Sequence, residues 1–177
     1  MSRLGGETVE VLLTEHQLQA RIAEMAAAIT RDYEGKPLKL VGVLKGSFVF
    51  MADLARAIDL PVKVDFIGTT SYQGTTSSGV VRITNDLSWP VAGEHVLLVE
   101  DIVDTGLTMK YLLSNLETRR PASVRVCALL HKPSRAKVEV PIAYKGFEIP
   151  DAFAVGYGLD WDGRLRNLPY IGVLKRP

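Results

Sequence analysis

Glu100, Asp101 and Asp104 crowd into one short stretch, "HVLLVEDIVDTGLTMKYLL", with Thr105, Gly106, Leu107 and Thr108 directly behind them. The second half of that stretch reads as a phosphate cradle. A helix that starts there offers free backbone N–H groups and the positive end of its dipole. Gly106 permits close backbone approach, and Thr105 and Thr108 bring hydroxyl donors. A plain strand-to-helix turn with Thr as N-cap has the same letters. The chain lacks the G-x-x-x-x-G-K-[ST] pattern of a P-loop and the G-x-G-x-x-G pattern of a dinucleotide site. The three acids would repel a phosphate unless each has another task. A sugar diol can donate to Glu100 and Asp101, and Mg²⁺ would offset their charge. A solvated strand end is the competing reading. A ribose 5-phosphate has both a phosphate and a cis-diol. Asp104 then lies at the mouth of the cradle, within reach of whatever bonds to the sugar, where a carboxylate can act as a general base.

These residues need a scaffold, and hydrophobic periodicity supplies one. Thr14, with Gln17 three positions on, forms a weak capping box for a helix whose apolar face is Leu18, Ile22, Met25, Ala26 and Ile29. "KPLKLVGVL" reads as a strand ending near Leu44, and "GSFVFMADLARAI" as a helix up to Ile58. "VKVDFIGTT" and "GVVRITND" read as strands, and His95 to Val99 as a central strand buried on both faces. Met109, Leu112, Leu113 and Leu116 repeat at helical spacing. "SVRVCALLHK" reads as another buried strand and "AFAVGY" as a short one. Strands alternating with helices predict a mostly parallel sheet in a doubly wound α/β fold. Ligands in such folds sit outside the carboxyl ends of the strands. That gathers Lys45-Gly46, Asp101 to Thr108, His131-Lys132 and the segment after Tyr157 at one crevice. The closing segment, "DWDGRLRNLPYIGVLKRP", is irregular and is expected to form a small cap with the N-terminal residues.

Composition limits the function classes. The 177 residues suit one domain, and 47% hydrophobic content supplies a core. With 21 basic and 20 acidic residues the net charge is +1, so no global field argues for nucleic acid. The only cysteine, Cys127, excludes an intrachain disulfide and a cysteine-ligated metal centre. A cytoplasmic setting is expected. The start has no apolar core of a signal peptide, and no run is long enough for a membrane span.

At "VLLVEDIVDTGLTM" the chain resembles the phosphoribosyl-pyrophosphate motif of type I phosphoribosyltransferases, and the acid at 104 resembles the 6-oxopurine, hypoxanthine-guanine branch. The resemblance runs from about Leu40 to about Val173, through separated motifs in family order. "LKGS" at 44–47 resembles the pyrophosphate loop, and "SYQGTTSSG" at 71–79, beginning Ser71-Tyr72, the mobile lid. "LLHKPSR" at 129–135 resembles the purine-selecting segment, and "GFEIPDAFAVGYGLDWDGRLRNLP" at 146–169 the hood over the base. The family implies a mostly parallel twisted sheet flanked by helices. Its core would cover about 14–145 and its hood about 1–13 and 146–177. It implies Glu100 and Asp101 at the ribose hydroxyls and Mg²⁺, and Asp104 as general base at purine N7. The 5′-phosphate loop would comprise Asp104, Thr105, Gly106, Leu107 and Thr108. Some members have a basic residue at 107, where this chain relies on the backbone N–H. The resemblance further implies pyrophosphate contacts from Lys45, Gly46 and Arg166, with a cis peptide in that loop. On the purine side it implies Lys132 donating to the 6-oxo group, Phe153 stacking and the main chain of Ala154 at the purine edge. Asp160 would lie there too, as a second Mg²⁺-linked acid. The donor and a 6-oxopurine are the implied partners, in a homodimer or homotetramer, without nucleic acid or membrane.

Other readings compete. A lysine at a strand end is usually solvated, and Arg166 would ordinarily be surface. Alternation places Phe153 and Val155 on one face and Ala154 on the other, so Phe153 is either core or stacking platform. His131 reads as structural. The 71–79 stretch is either an idle loop or a lid that excludes water. A regulator on the same fold tends to lose the acid at 104 and to carry a basic face. A haloacid-dehalogenase-type phosphatase spaces its two acids by one residue, whereas Asp101 and Asp104 are separated by two. A xanthine-preferring relative stays within the enzyme reading, because Ala154 is smaller than the residue common there.

Overall fold

The computed structural model describes residues 2–4, 7–71 and 81–175. In chain order the elements are β1 (Ser2–Leu4), β2 (Glu7–Leu13), α1 (Glu15–Asp32), β3 (Leu38–Leu44), α2 (Phe48–Ala57), β4 (Lys63–Ser71) and β5 (Val81–Asn85). Then follow β6 (His95–Val103), α3 (Leu107–Glu117), β7 (Ser123–His131), β8 (Ile142–Glu148), β9 (Ala154–Val155) and β10 (Ile171–Lys175). The expected capping box forms: the Gln17 N–H donates to Thr14 Oγ1, and the Thr14 N–H to Gln17 Oε1. The apolar face anticipated for α1 is its buried face.

A six-stranded sheet has the order β5-β4-β3-β6-β7-β8, parallel except for the antiparallel edge pair β4–β5. Strand pleating sends alternate residues to opposite faces. Leu97 and Val99 of β6 pack with α1 and α2, while Val96 and Leu98 pack with α3. Lys39 is an exception in this apolar interior. Its ammonium donates to the Pro90 carbonyl at 2.9 Å and pairs with Glu94 at 3.2 Å. A buried charge needs partners of this kind.

β8 has little sequence signal. Its burial alternates poorly, and a 3₁₀ turn at Pro133–Arg135, rather than a helix, leads toward it. β8 runs to Glu148 in the main sheet, slightly past the expected core limit. The chain ends meet in a second, four-stranded antiparallel sheet, β1-β2-β10-β9. Residues 171–175, read from sequence as irregular, form its strand β10. The expected cap is thus a sheet, held by the cluster Val9, Val155, Leu165 and Leu174. Among the described residues no helix is long and apolar enough to cross a membrane.

Candidate active site

The strand order reverses between β3 and β6: β4 lies to one side of β3 and β6 to the other. This is the switch point where open α/β sheets leave a crevice. The pairing of β3 with β6 stops at Gly42–Val99, while β6 continues beside β7 to Val103–His131. The two strands part above Val99. A cleft of about 200 Å³ opens there, lined by Leu44, Gly46, Glu100, Asp101, Asp104, Thr105, Gly106 and Thr108 among others.

The cradle is built at the start of α3. Gly106 is the N-cap, in the left-handed region at φ 84°, and it makes no side-chain cap bond. Thr is therefore not the N-cap of this turn. Thr105 Oγ1 instead accepts from the Leu107 N–H at 3.4 Å. Uncapped N–H groups at the first turn suit an anion. A Cβ at position 106 would lie 2.7 Å from the Val138 carbonyl oxygen, so backbone packs directly against this glycine. The Thr105 carbonyl accepts from the N–H groups of Lys137 and Val138 at 2.9 and 3.2 Å.

Opposite the cradle, the Leu44–Lys45 peptide is cis. A Cβ on Gly46 would fall 1.8 Å from Asp101 Oδ2, so the loop backbone and that carboxylate are already in contact. A Cβ on Gly158 would similarly meet the Gly46 carbonyl oxygen at 2.1 Å. The hood therefore approaches the loop closely at Gly158, where there is no room for a side chain. Lys45 itself is exposed. Glu100 is buried, and burial holds its carboxyl well above the usual carboxylate range, with the neighbouring Asp101 charge adding to the effect.

A second cleft, of about 430 Å³, shares Asp101, Ile102 and Asp104 with the first. Lys132, Arg135, Asp151, Ala152, Phe153, Ala154, Leu159 and Asp160 complete its lining. Lys132 is buried at 8% exposure, and its N–H donates to the Val103 carbonyl at 3.0 Å. The solvated-lysine reading is thereby replaced. Phe153 is 49% exposed and Val155 fully buried, so they do not share a face. Strand β9 begins only at Ala154, and the pleat does not extend to Phe153. Freed from the core, Phe153 offers its ring to the cleft. His131 is partly buried. Its Nδ1 has no hydrogen-bond partner, and burial, then Lys145, hold its pKa below the ordinary value.

Asp160 pairs with Arg166 at 2.7 Å and accepts from the Gly163 N–H at 2.7 Å; Arg166 also donates to the Gly158 carbonyl at 2.6 Å. Arg166 is therefore an ion-paired residue that orders the hood, not a solvated surface arginine. Among the described residues no three His, Cys, Asp or Glu side chains converge as a metal cage, so Asp160 does not join Glu100 and Asp101 at one point. Tyr72 and the rest of the expected lid lie outside the described residues; Ser71 ends β4, and its side chain lies outside them too.

Arg135 carries no recognisable role in the sequence, although it closes the stretch "LLHKPSR". Its guanidinium reaches Asp104 at 3.2 Å and Asp151 at 3.6 Å. The same absence of a sequence role holds for Tyr157, whose hydroxyl donates to Asp53 of α2 and pins the hood to the core, with Gln19 of α1 donating to Asp53 at 3.0 Å. Neither pairing has a local signal; both depend on long-range folding.

The profile of the phosphoribosyl transferase domain matches residues 8–162. A hypoxanthine phosphoribosyltransferase of Haemophilus influenzae is 53% identical over 168 residues, 93% of this chain and 94% of that protein. A hypoxanthine-guanine phosphoribosyltransferase of Mycobacterium avium is 52% identical over 176 residues, 96% of this chain and 87% of that protein. The chain belongs to the hypoxanthine-guanine branch of the phosphoribosyltransferase family. Its fold agrees. The crystal structure of a hypoxanthine phosphoribosyltransferase from Staphylococcus aureus superposes with a TM-score of 0.90 at 47% identity, covering 94% of this chain and 91% of that one. The two clefts meet at Asp101, Ile102 and Asp104.

Proposed function

We propose that the chain transfers a 5-phosphoribosyl group from 5-phospho-α-D-ribose 1-diphosphate to N9 of hypoxanthine or guanine. The products are IMP or GMP and diphosphate. The observation that carries this reading is the junction of the two clefts at Asp104: a phosphate cradle lies on one side of it and a buried lysine with an open phenyl ring on the other.

Each residue has a task. The Thr105 to Thr108 turn holds the 5′-phosphate through N–H and hydroxyl groups. Glu100 and Asp101 accept from the ribose hydroxyls. Lys45, the Gly46 backbone and Arg166 face the departing diphosphate, where preset charges stabilise what develops as the anomeric bond breaks. The anomeric carbon becomes oxocarbenium-like, as in glycoside cleavage. Lys132 donates to O6, Asp104 accepts the N7 proton, Phe153 stacks on the ring, and the Ala154 main chain and Asp160 border it. Ser71 and Tyr72 open the lid that shields this centre from water.

Glu100 and Asp101 are the residues that would hold Mg²⁺. Mg²⁺ is commonly bound by one or two carboxylates plus substrate phosphates and water, not by a full protein cage. Two adjacent carboxylates lining the cleft beside the cradle fit that pattern, while Asp160, paired with Arg166, stands apart from them. When bound, the ion supplies positive charge beside the diphosphate. A cytoplasmic setting and a dimer or tetramer complete the reading.

Purified protein given donor and hypoxanthine should form IMP; absence of any nucleotide would end this reading. Asp104→Asn should retain donor binding and lower turnover by roughly 10²–10⁴, the usual contribution of a general base. Near-normal turnover in that variant would remove Asp104 from the role.

A further inference from the structure

Two charged groups, Arg135 and Asp151, line the base-side cleft without a task in the reaction just described. Arg135 ends the 3₁₀ turn that follows Lys132. Its Nε donates to Asp104 Oδ1 at 3.2 Å, and its Nη1 lies 3.6 Å from Asp151 Oδ2. The turn that carries it is fastened at both ends to the cradle: Lys132 donates to the Val103 carbonyl, and Lys137 and Val138 to that of Thr105. Arg135 thus joins the turn bearing Lys132, the loop bearing Asp104 and the segment entering Phe153.

Stability does not explain this pair. Arg135, Asp104 and Asp151 are 49%, 39% and 54% exposed, and ion pairs so open to water contribute little to folding. Geometry does explain it. A carboxylate has two oxygens, and the single N–H that Arg135 directs at Asp104 engages only one of them. Holding Oδ1 of Asp104 leaves Oδ2 for the purine.

We propose that Arg135 is a positioning residue that sets the Asp104 carboxylate toward the purine and ties it, through Asp151, to the segment presenting Phe153. This rests on the reading of Asp104 as the purine-side base. Arg135 acts through Asp104 and touches no reacting atom.

The test is a double-mutant cycle in kcat and KM, measured separately for hypoxanthine and for the donor. Arg135→Ala should lower kcat/KM for hypoxanthine about tenfold, within the range for coupled neighbours. The donor KM should stay unchanged. Arg135→Lys, which replaces the fork with a point charge, should restore part of the loss. In an Asp104→Asn background the Arg135→Ala effect should vanish. An equal loss in that background, a joint loss of donor and purine terms, or a gain in hypoxanthine kcat/KM would overturn the proposal. If Arg135→Ala does not fold, Arg135→Gln enters the same cycle. Near-normal turnover of Asp104→Asn alone would refute the base reading, a result separable from any outcome for Arg135.

Discussion

A lysine whose stem is packed into a cleft wall presents its ammonium to whatever enters the cleft. Lys132 is buried in the wall of the base-side cleft, at the end of β7 and beside the segment that presents Phe153. A purine O6 is the acceptor that suits it. Lys132→Ala should therefore weaken hypoxanthine binding while leaving donor binding intact, measured by calorimetric titration of each ligand. Equal loss of both would mean that the side chain only supports the fold. The acids at 100, 101 and 104 are readable as chemistry from their spacing, whereas the role of Lys132 rests on the family resemblance. The partner of Asp104 was not, because Arg135 lies 31 positions away and meets it only when β6 and β7 lie side by side.

At the scale of elements, the loop after β3 works through what it lacks. Gly46 is pressed against Asp101, and a methyl group there would lie 1.8 Å from its carboxylate oxygen. Gly46→Ala must displace Asp101 or the loop. Donor binding should weaken at least tenfold, since such misplacement near reacting groups is costly. The far-ultraviolet circular dichroism spectrum should stay native, because the helices α1 and α3 are untouched. Unchanged donor affinity would show that Asp101 is free to move. The helices themselves followed from periodicity and caps. β8 and β10 did not, since each becomes a strand only by pairing with a neighbour remote in sequence.

For the whole molecule, the second sheet and the hydroxyl of Tyr157 hold the hood over the crevice. Burial is the main cause that raises the phenol pKa of Tyr33, Tyr144 and Tyr157 above the ordinary 10.0. Asp32 and Asp53, hydrogen-bonded to Tyr144 and Tyr157, raise those two further. The sign follows directly. Below the unfolded value these phenols are neutral in both states and their full contribution is present. Above it the unfolded chain loses protons that the folded chain keeps, so stability falls as pH rises. Thermal melting should drop steadily above about pH 10, and the tyrosine absorbance titration of the folded protein should show these three lagging the exposed ones. A flat melting temperature across that interval would contradict the burial of the hydroxyls.

The sequence alone determined the alternation of strands and helices, the apolar faces and the spacing of acids and threonines around one glycine. These depend on neighbours a few residues apart, where periodicity and turn chemistry act. Only the tertiary structure decided that Phe153 leaves the core, that Lys132 is buried, that Asp160 turns to Arg166 and that Arg135 grips Asp104. Those outcomes depend on which strand lies beside which, and on a sheet that parts above Val99, and no local pattern encodes either.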